Sequence, residues 1–429
     1  MLNLPGTASH AVACLDGNPL ARNGKAGSAL FMLMFSSFCG ASVGILAMIL
    51  FSPLLVDVAF KFGPAEYFSM MMLGLLAGAT LAKGSAIKGV AMVVVGLLLG
   101  VVGTDVNTGT MRFHFGILEL SDGLQIVALA MGLFGVADFL KNINQIGGDT
   151  KVTSGKISMK SMRPEAGDIK QSRGALVRGT AIGAAFGILP GTGPTIASFI
   201  SYAVEKKVAR EPRRFGRGAI EGIAGPEAAT SASTQTSFIP TMSLGIPGDP
   251  VMALMLGALI IHGIQPGPQM MVEHADMFWG LIASFWVGNV LLLLLNLPLI
   301  GMWVRLLTVP FRYLFPAALF FVCVGVYSTN NNLFDVGMVT LFGAAGYALI
   351  RLRFEPAPLL LGFVLGPMVE ENFRRALLLS RGDLAIFVTR PISLGFVLAC
   401  VLLIALLLVS AVRQRNKVRL AMETSNSTA

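Results

Sequence analysis

The side chains best suited to binding chemistry sit between two turns. Residues 230–237 read Thr-Ser-Ala-Ser-Thr-Gln-Thr-Ser, seven hydroxyl or amide groups in eight positions. Before them stands Pro190-Gly191-Thr192-Gly193-Pro194-Thr195 and after them Pro247-Gly248-Asp249-Pro250, both set in strongly apolar chain. Hydroxyl and amide groups can complete a sodium ion's shell or hold a carboxylate's oxygens. Glycine lets backbone approach a ligand closely, and proline removes a donor that would otherwise be unpaired. Where a helix breaks inside a bilayer, N–H groups at the half-helix N-terminus point at an anion, and freed carbonyls can coordinate a cation. The expected substrate contacts are therefore Pro190, Gly191, Thr192, Gly193, Pro194, Thr195, Ser231, Thr234, Pro247 and Gly248. Glu227, Thr230, Ser233 and Asp249 are the candidates for a coupling ion, because acids at membrane depth are costly to keep without a use. A plainer role suits the same residues: Pro and Gly can kink a packed helix, and small hydroxyl residues can join helices to one another.

Catalysis has little to stand on. His10, His114, His262 and His274 are scattered with no HExxH spacing, and no GxxxxGK[ST] occurs. Cys14, Cys39, Cys323 and Cys400 form no CxxC pair. Neither a catalytic residue, a bound metal nor a cofactor is expected. Work done on a solute would draw on an ion gradient or on a partner.

The elements that hold these groups are read from composition. The chain has 429 residues, 54% of them hydrophobic and 13% charged, against roughly 25% charged in a soluble domain. Apolar runs recur along its whole length and predict about ten to twelve membrane passes, since helices satisfy their own backbone groups in lipid. The net charge of +9 lies in loops, with no basic stretch interleaved with aromatics, so no nucleic-acid platform is expected. Lysines and arginines crowd residues 141–178 and again 206–217, placing both on the cytoplasmic side. The apolar stretches between them are too short to cross singly, which predicts a hairpin that enters from the cytoplasm, turns at Pro190 to Pro194 and leaves the same way. No Lys or Arg occurs from Gly218 to Val304, so residues 243–263 should form a second hairpin from the outer face, turning at Pro247 to Pro250.

The chain also repeats itself. Leu4-Pro5-Gly6 matches Ile246-Pro247-Gly248, and "KFGPAEYF" echoes "YLFPAALF". Arg22, Lys25, Lys83 and Lys88 stand where the second copy lacks positive charge, which implies opposite orientation of the two copies. The expected fold is an all-α polytopic membrane protein of inverted-topology repeats with broken helices or re-entrant hairpins. Residues 1–140 would be an incomplete first repeat, 141–173 a cytoplasmic linker, 174–412 the second repeat and 413–429 a tail. By the repeat, Pro5, Gly6, Thr7 and Ser9 join the expected substrate contacts, and the first repeat should lack its own first hairpin. Asp105-Val106-Asn107 reads as a helix-end cap, and Ser328 to Asn332 as a loop turn. Arg374, Arg375, Arg381 and Arg390 leave the topology of residues 355–412 open.

Five stretches carry a family resemblance: "LNLPGTASHAVACLDGNPLARNGKAGSAL", "KFGPAEYFSMMMLGLLA", "GLLLGVVGTDVNTGTMRFHFG", "GILPGTGPTIASFISY" and "LGIPGDPVMALMLGALIIHGIQPGPQ". From about Leu2 to about Pro391 the chain resembles the large membrane subunit, TctA, of the tripartite tricarboxylate transporters. The resemblance implies a secondary transporter of the bacterial inner membrane that takes up a small organic carboxylate by cation symport. It also implies two partners, a periplasmic solute-binding protein and a small membrane subunit. Family members begin with a further Pro-Gly-x-Gly-Pro turn and a Gly-Gly-Ser/Thr-rich stretch that this sequence lacks. The alternative expectation is therefore a truncated, non-transporting remnant or membrane scaffold of the same family.

Overall fold

The computed structural model describes residues 8–80, 86–105, 108–142, 162, 164, 166–189, 193–306 and 311–405. They fold as an all-α membrane protein; the one β-ladder among them is a two-residue pair, β1 (Gly103–Thr104) with β2 (Met111–Arg112). Among the described residues three helices are long and apolar enough to cross a membrane: Ala26–Leu55, Ala275–Met302 and Leu333–Arg351. Ile87–Gly100, Pro250–Ile261, Phe315–Asn330 and Pro391–Ala405 are apolar but shorter. The expected passes are thus realised unequally among the described residues. Hydropathy registers apolar length but not the turns that divide it.

The helices are α1 (Ala11–Arg22), α2 (Ala26–Ala59), α3 (Pro64–Thr80), α4 (Ala86–Gly100) and α5 (Ile126–Ala130). A π-helical stretch, Met131–Val136, leads from α5 into α6 (Ala137–Asn142). Then follow α7 (Ala166–Gly187), α8 (Gly193–Val208), α9 (Glu221–Thr236), α10 (Phe238–Leu244), α11 (Pro250–Ile261) and α12 (Met270–Glu273). The chain continues with α13 (Ala275–Leu306), α14 (Phe311–Asn330), α15 (Leu333–Arg351), α16 (Ala357–Leu379), α17 (Ile386–Thr389) and α18 (Pro391–Ala405). They divide between two compact units, one of Met1–Ala59, Asn142–Met252 and Leu259–Phe320, the other of Phe60–Lys141, Ala253–Ala258 and Phe321–Ala429. Each unit draws on both repeats read from the sequence.

In the first unit α9 is the axis. Gly179, Gly183 and Gly187 of α7 lie against the backbone of Gly225, Ala229 and Ser233; a methyl there would come within 2.9, 2.7 and 2.8 Å of the respective Cα atoms. Gly40 and Gly44 of α2 meet Ala228 and Ala232 in the same way. Both registers advance four residues at a time in the same direction, so α7 and α2 run parallel to α9. Small residues at every fourth position let backbones touch, which is how helices associate where lipid removes the hydrophobic drive between them.

The second unit repeats the device. Gly96 and Gly100 of α4 rest on Leu359 and Phe363 of α16, while Gly362 and Gly366 rest on Val93 and Leu97. Here the helix-end reading of Asp105 is corrected. α4 ends at Gly100, and Asp105 follows β1, buried, with Arg112 Nη2 at 2.6 Å and Arg374 Nη1 at 3.0 Å from its Oδ2. Glu370 receives the same arginines, Arg112 at 2.9 Å and Arg374 at 2.6 Å. The hydrogen bond to Glu370 raises the Arg112 guanidinium above its usual range. A carboxylate that two arginines neutralise is a tie between segments. Arg390 likewise finds Glu66, at 2.9 Å. Of the loop turn expected at Ser328 to Asn332, the first three residues are instead the end of α14, where the Ser328 and Thr329 hydroxyls donate back to Val324 O and Gly325 O. Only Asn331 and Asn332 lie between α14 and α15, and Asn332 Oδ1 accepts from Phe334 N–H at 2.9 Å.

Candidate functional site

The site lies in the first unit, where the two Pro-Gly elements come together. Pro190, Gly191 and Thr192 lie outside the described residues, as do Pro5, Gly6 and Thr7. The helices that flank them are described. α7 and α8 are separate and antiparallel, because Arg178 in α7 donates to Glu205 in α8 twice, Nε to Oε1 at 2.9 Å and Nη2 to Oε2 at 2.7 Å. Glu205 is buried and this bidentate pair is its charge partner. Gly193 opens α8 with φ +59°, a left-handed conformation that an L side chain adopts at a cost. Pro194 and Thr195 follow in the first turn of α8.

The second turn is built by its own caps. α10 closes on Gly245 at φ +70°, whose N–H donates to Thr241 O at 3.1 Å. After Pro247 and Gly248, Asp249 Oδ1 accepts from the N–H groups of Val251 at 2.8 Å and Met252 at 3.0 Å. Asp249 is therefore the N-cap of α11, and the protein's own carboxylate already complements that helix end.

The two elements meet at Gly193. A side chain built there would lie 3.4 Å from Asp249 Cβ and 3.6 Å from the Gly248 carbonyl oxygen. One built on Gly248 would lie 3.3 Å from Ser237 Oγ and 3.9 Å from the Gly187 carbonyl oxygen. The end of α7, the head of α8, the end of the polar run and the cap of α11 thus share one corner.

The polar run is α9 continued into α10. Thr230 Oγ1 donates to Pro226 O at 2.9 Å, Thr234 Oγ1 to Thr230 O at 2.9 Å and Ser237 Oγ to Ser233 O at 2.7 Å. These hydroxyl protons are committed to their own helix, so the oxygens offer lone pairs, which suit a cation better than a carboxylate. Ser231 Oγ pairs with Ser37 Oγ of α2 at 2.8 Å, a contact that joins helices. Ser233 Oγ, Gln235 Oε1 and Glu227 Oε2 are buried acceptors without a hydrogen-bond partner among the described residues. Glu227 is only 4% exposed, and its Oε1 stands 3.8 Å from His10 Nε2. Ser9, buried beside His10, belongs to the short 3-10 turn Ala8–His10 that packs on α8 and α9.

Sequence reasoning missed two nodes here. Asp16 of α1 is fully buried; its Oδ1 accepts from the N–H groups of Gly216, Gly218 and Ala219, each at 2.8 Å, and its Oδ2 from Tyr202 OH at 2.9 Å. The Gly-Arg-Gly at 216–218 was the available signal, since Gly216 and Gly218 both take positive φ. The second node is the approach of His10 to Glu227, which spans too much chain to show as local spacing.

The Tripartite tricarboxylate transporter TctA family matches the chain over residues 1–361. The chain is 49% identical over 421 residues to an Agrobacterium vitis protein described as an uncharacterized 52.8 kDa protein in the TAR-I ttuC' 3' region, covering 97% of this chain and 83% of that one. It is 57% identical over 224 residues to an uncharacterized protein in the TAR-II ttuC' 3' region of Agrobacterium vitis, covering 52% of this chain and 93% of the other. No solved structure matches.

Proposed function

Starting from the fact that this chain belongs to the tripartite tricarboxylate transporter TctA family, we propose that it is the membrane subunit through which a small organic di- or tricarboxylate is imported across the bacterial inner membrane. Uptake is driven by a cation gradient, Na+ or H+, in symport. A periplasmic solute-binding protein delivers the substrate, and a small membrane subunit completes the assembly. The two inverted repeats supply alternating access around the paired turns.

One observation carries this reading: Gly193 and Gly248, from two different broken helices, converge at Ser237, where the buried polar run that descends α9 through Glu227, Thr230 and Ser233 ends. Backbone near Gly191 to Thr195 and at Gly248 serves the carboxylate. The lone pairs of Thr230 and Ser233, with the Glu227 carboxylate, serve the cation. Asp249 contributes through its cap, setting the direction of α11.

The test is uptake of labelled di- and tricarboxylates into proteoliposomes that hold the full chain with its small membrane subunit and binding protein. Uptake should require both an imposed Na+ or H+ gradient and the binding protein. Uptake indifferent to every gradient, or unchanged by Gly193→Leu, overturns the mechanism.

A further inference from the structure

The segment after α4 presents apolar side chains that nothing among the described residues covers. Met111, Phe113, Phe115, Ile117 and Leu118 are all exposed, Phe115 to 80% and Leu118 to 76%. Phe113 and Phe115 hold φ of +51° and +49°, a region in which a phenylalanine backbone is strained and glycine or asparagine would be at ease. Folding alone gives no reason to keep a phenyl ring at a strained, exposed position. The loop is nevertheless held firmly at its inner end, where Arg112 is clasped by Asp105 and Glu370. Its backbone is tied at Thr104 N–H to Ser121 O, 2.8 Å, and at Ile117 N–H to His114 O, 2.8 Å.

We propose that this loop is a lipid anchor, with Phe113, Phe115 and Leu118 seated in the interfacial layer of the bilayer at the end of α4. The bilayer is the occupant because the loop continues the lipid-facing part of an apolar helix. Val94, Val95 and Leu98 of α4 are exposed too, and the loop's apolar surface begins just beyond the helix end at Gly100. Side chains this apolar are unfavourable in water, whereas aromatic rings at a helix end fit the membrane–water boundary. Asp105, Arg112, Glu370 and Arg374 neutralise one another at the base of the loop, and the exposed Glu119 beside Leu118 is a charge that the headgroup layer accepts and hydrocarbon would not. The anchor would fix the depth of the loop and, through Arg112, of the middle of α16 at Glu370. This inference rests on the membrane fold and not on the transport reading.

The test uses the full chain with Cys14, Cys39, Cys323 and Cys400 replaced by alanine. Single nitroxide labels are placed through Phe115→Cys, Leu118→Cys and Asp122→Cys, in nanodiscs of phosphatidylethanolamine and phosphatidylglycerol. At 115 and 118 collisions with dissolved oxygen should exceed those with a water-soluble nickel chelate; at 122 the order should reverse. Nickel dominating at 115 and 118 would place the loop in water and overturn the proposal. Exclusion of both reagents there would show a protein surface over the loop, a partner subunit or a second copy, and overturn it equally. The two labelled positions are independent, so failure of one variant to fold leaves the other as the reading.

Discussion

Gly193 stands against Asp249, so that a side chain built on the glycine would touch the aspartate's Cβ at 3.4 Å. Two constraints therefore act on one position, the left-handed φ of +59° and the neighbouring cap of α11. Gly193→Ala should cost about 1–2 kcal/mol for the backbone alone, since 3.4 Å is an ordinary contact. Gly193→Val should lower uptake much further without abolishing the folded state. Asn tolerates left-handed φ best among the larger residues and should rank between Ala and Val. Uptake rates set beside detergent melting curves check the order; equal activity for Gly and Val would remove this corner from the site.

Arg178 and Glu205 should be coupled. Arg178→Met leaves a buried carboxylate without its partner, and losses of that kind run to about 3–5 kcal/mol. The value should fall at or below the lower end because the arginine side chain is 42% exposed and solvent screens it. The double variant Arg178→Met with Glu205→Gln should recover much of the loss. A thermal double-mutant cycle with no coupling would mean that the hairpin is held by packing alone.

The glycine stripe on α7 should not tolerate volume. At Gly183 a methyl would lie 2.7 Å from Ala229 Cα, and backbone cannot yield as a side-chain tip can. Gly183→Val should cost at least the roughly 1–3 kcal/mol of overpacking and reduce the yield of monodisperse protein. Gly288→Ala in α13, with nothing within 4 Å, should be harmless. Size-exclusion profiles of the two variants give the comparison.

Glu227→Gln separates function from stability. The carboxylate is buried with Oε2 unpartnered among the described residues, so removing its charge should leave the melting temperature unchanged or raised. Gradient-driven uptake should fall at least about tenfold, equivalent to about 1.4 kcal/mol in the driven step. A destabilised yet fully coupled variant would reassign Glu227 to structure.

Asp16→Ala should be among the more damaging single changes. Three backbone N–H groups and the Tyr202 hydroxyl would lose their acceptor inside the protein, each unsatisfied group costing about 1–3 kcal/mol. Asp16→Asn keeps one oxygen for those donors and should be milder. Relative unfolding in detergent, followed by the accessibility of Gly216 to Ala219 to hydrogen exchange, tests the ranking.

Fold class was legible because composition alone decides that lipid, and not water, surrounds most of these helices. The two breaks were legible as well, since Pro and Gly leave plain marks: α7 and α8 are separate helices, and α10 gives way to α11 across Pro247. The capping role of Asp249 was readable in principle, an acid directly before a helix-starting proline. Asp105 was misread because its partner Arg374 lies far along the chain and leaves no periodic trace near it. The same holds for Arg390 with Glu66. The hydroxyl run was recognised, but its chemistry turns on where each proton goes. Only the geometry of Thr230, Thr234 and Ser237 shows that those protons bond back to their own helix.

The close register of α7 and α2 on α9 also restricts motion. Ridges of backbone seated at every fourth residue cannot creep; neighbouring seats lie one helical turn away, about 5.4 Å. Gradual shear among these three helices is barred, so they travel as a single slab, and hinges in this unit fall outside it, as at the left-handed Gly193 that opens α8 and Gly245 that closes α10.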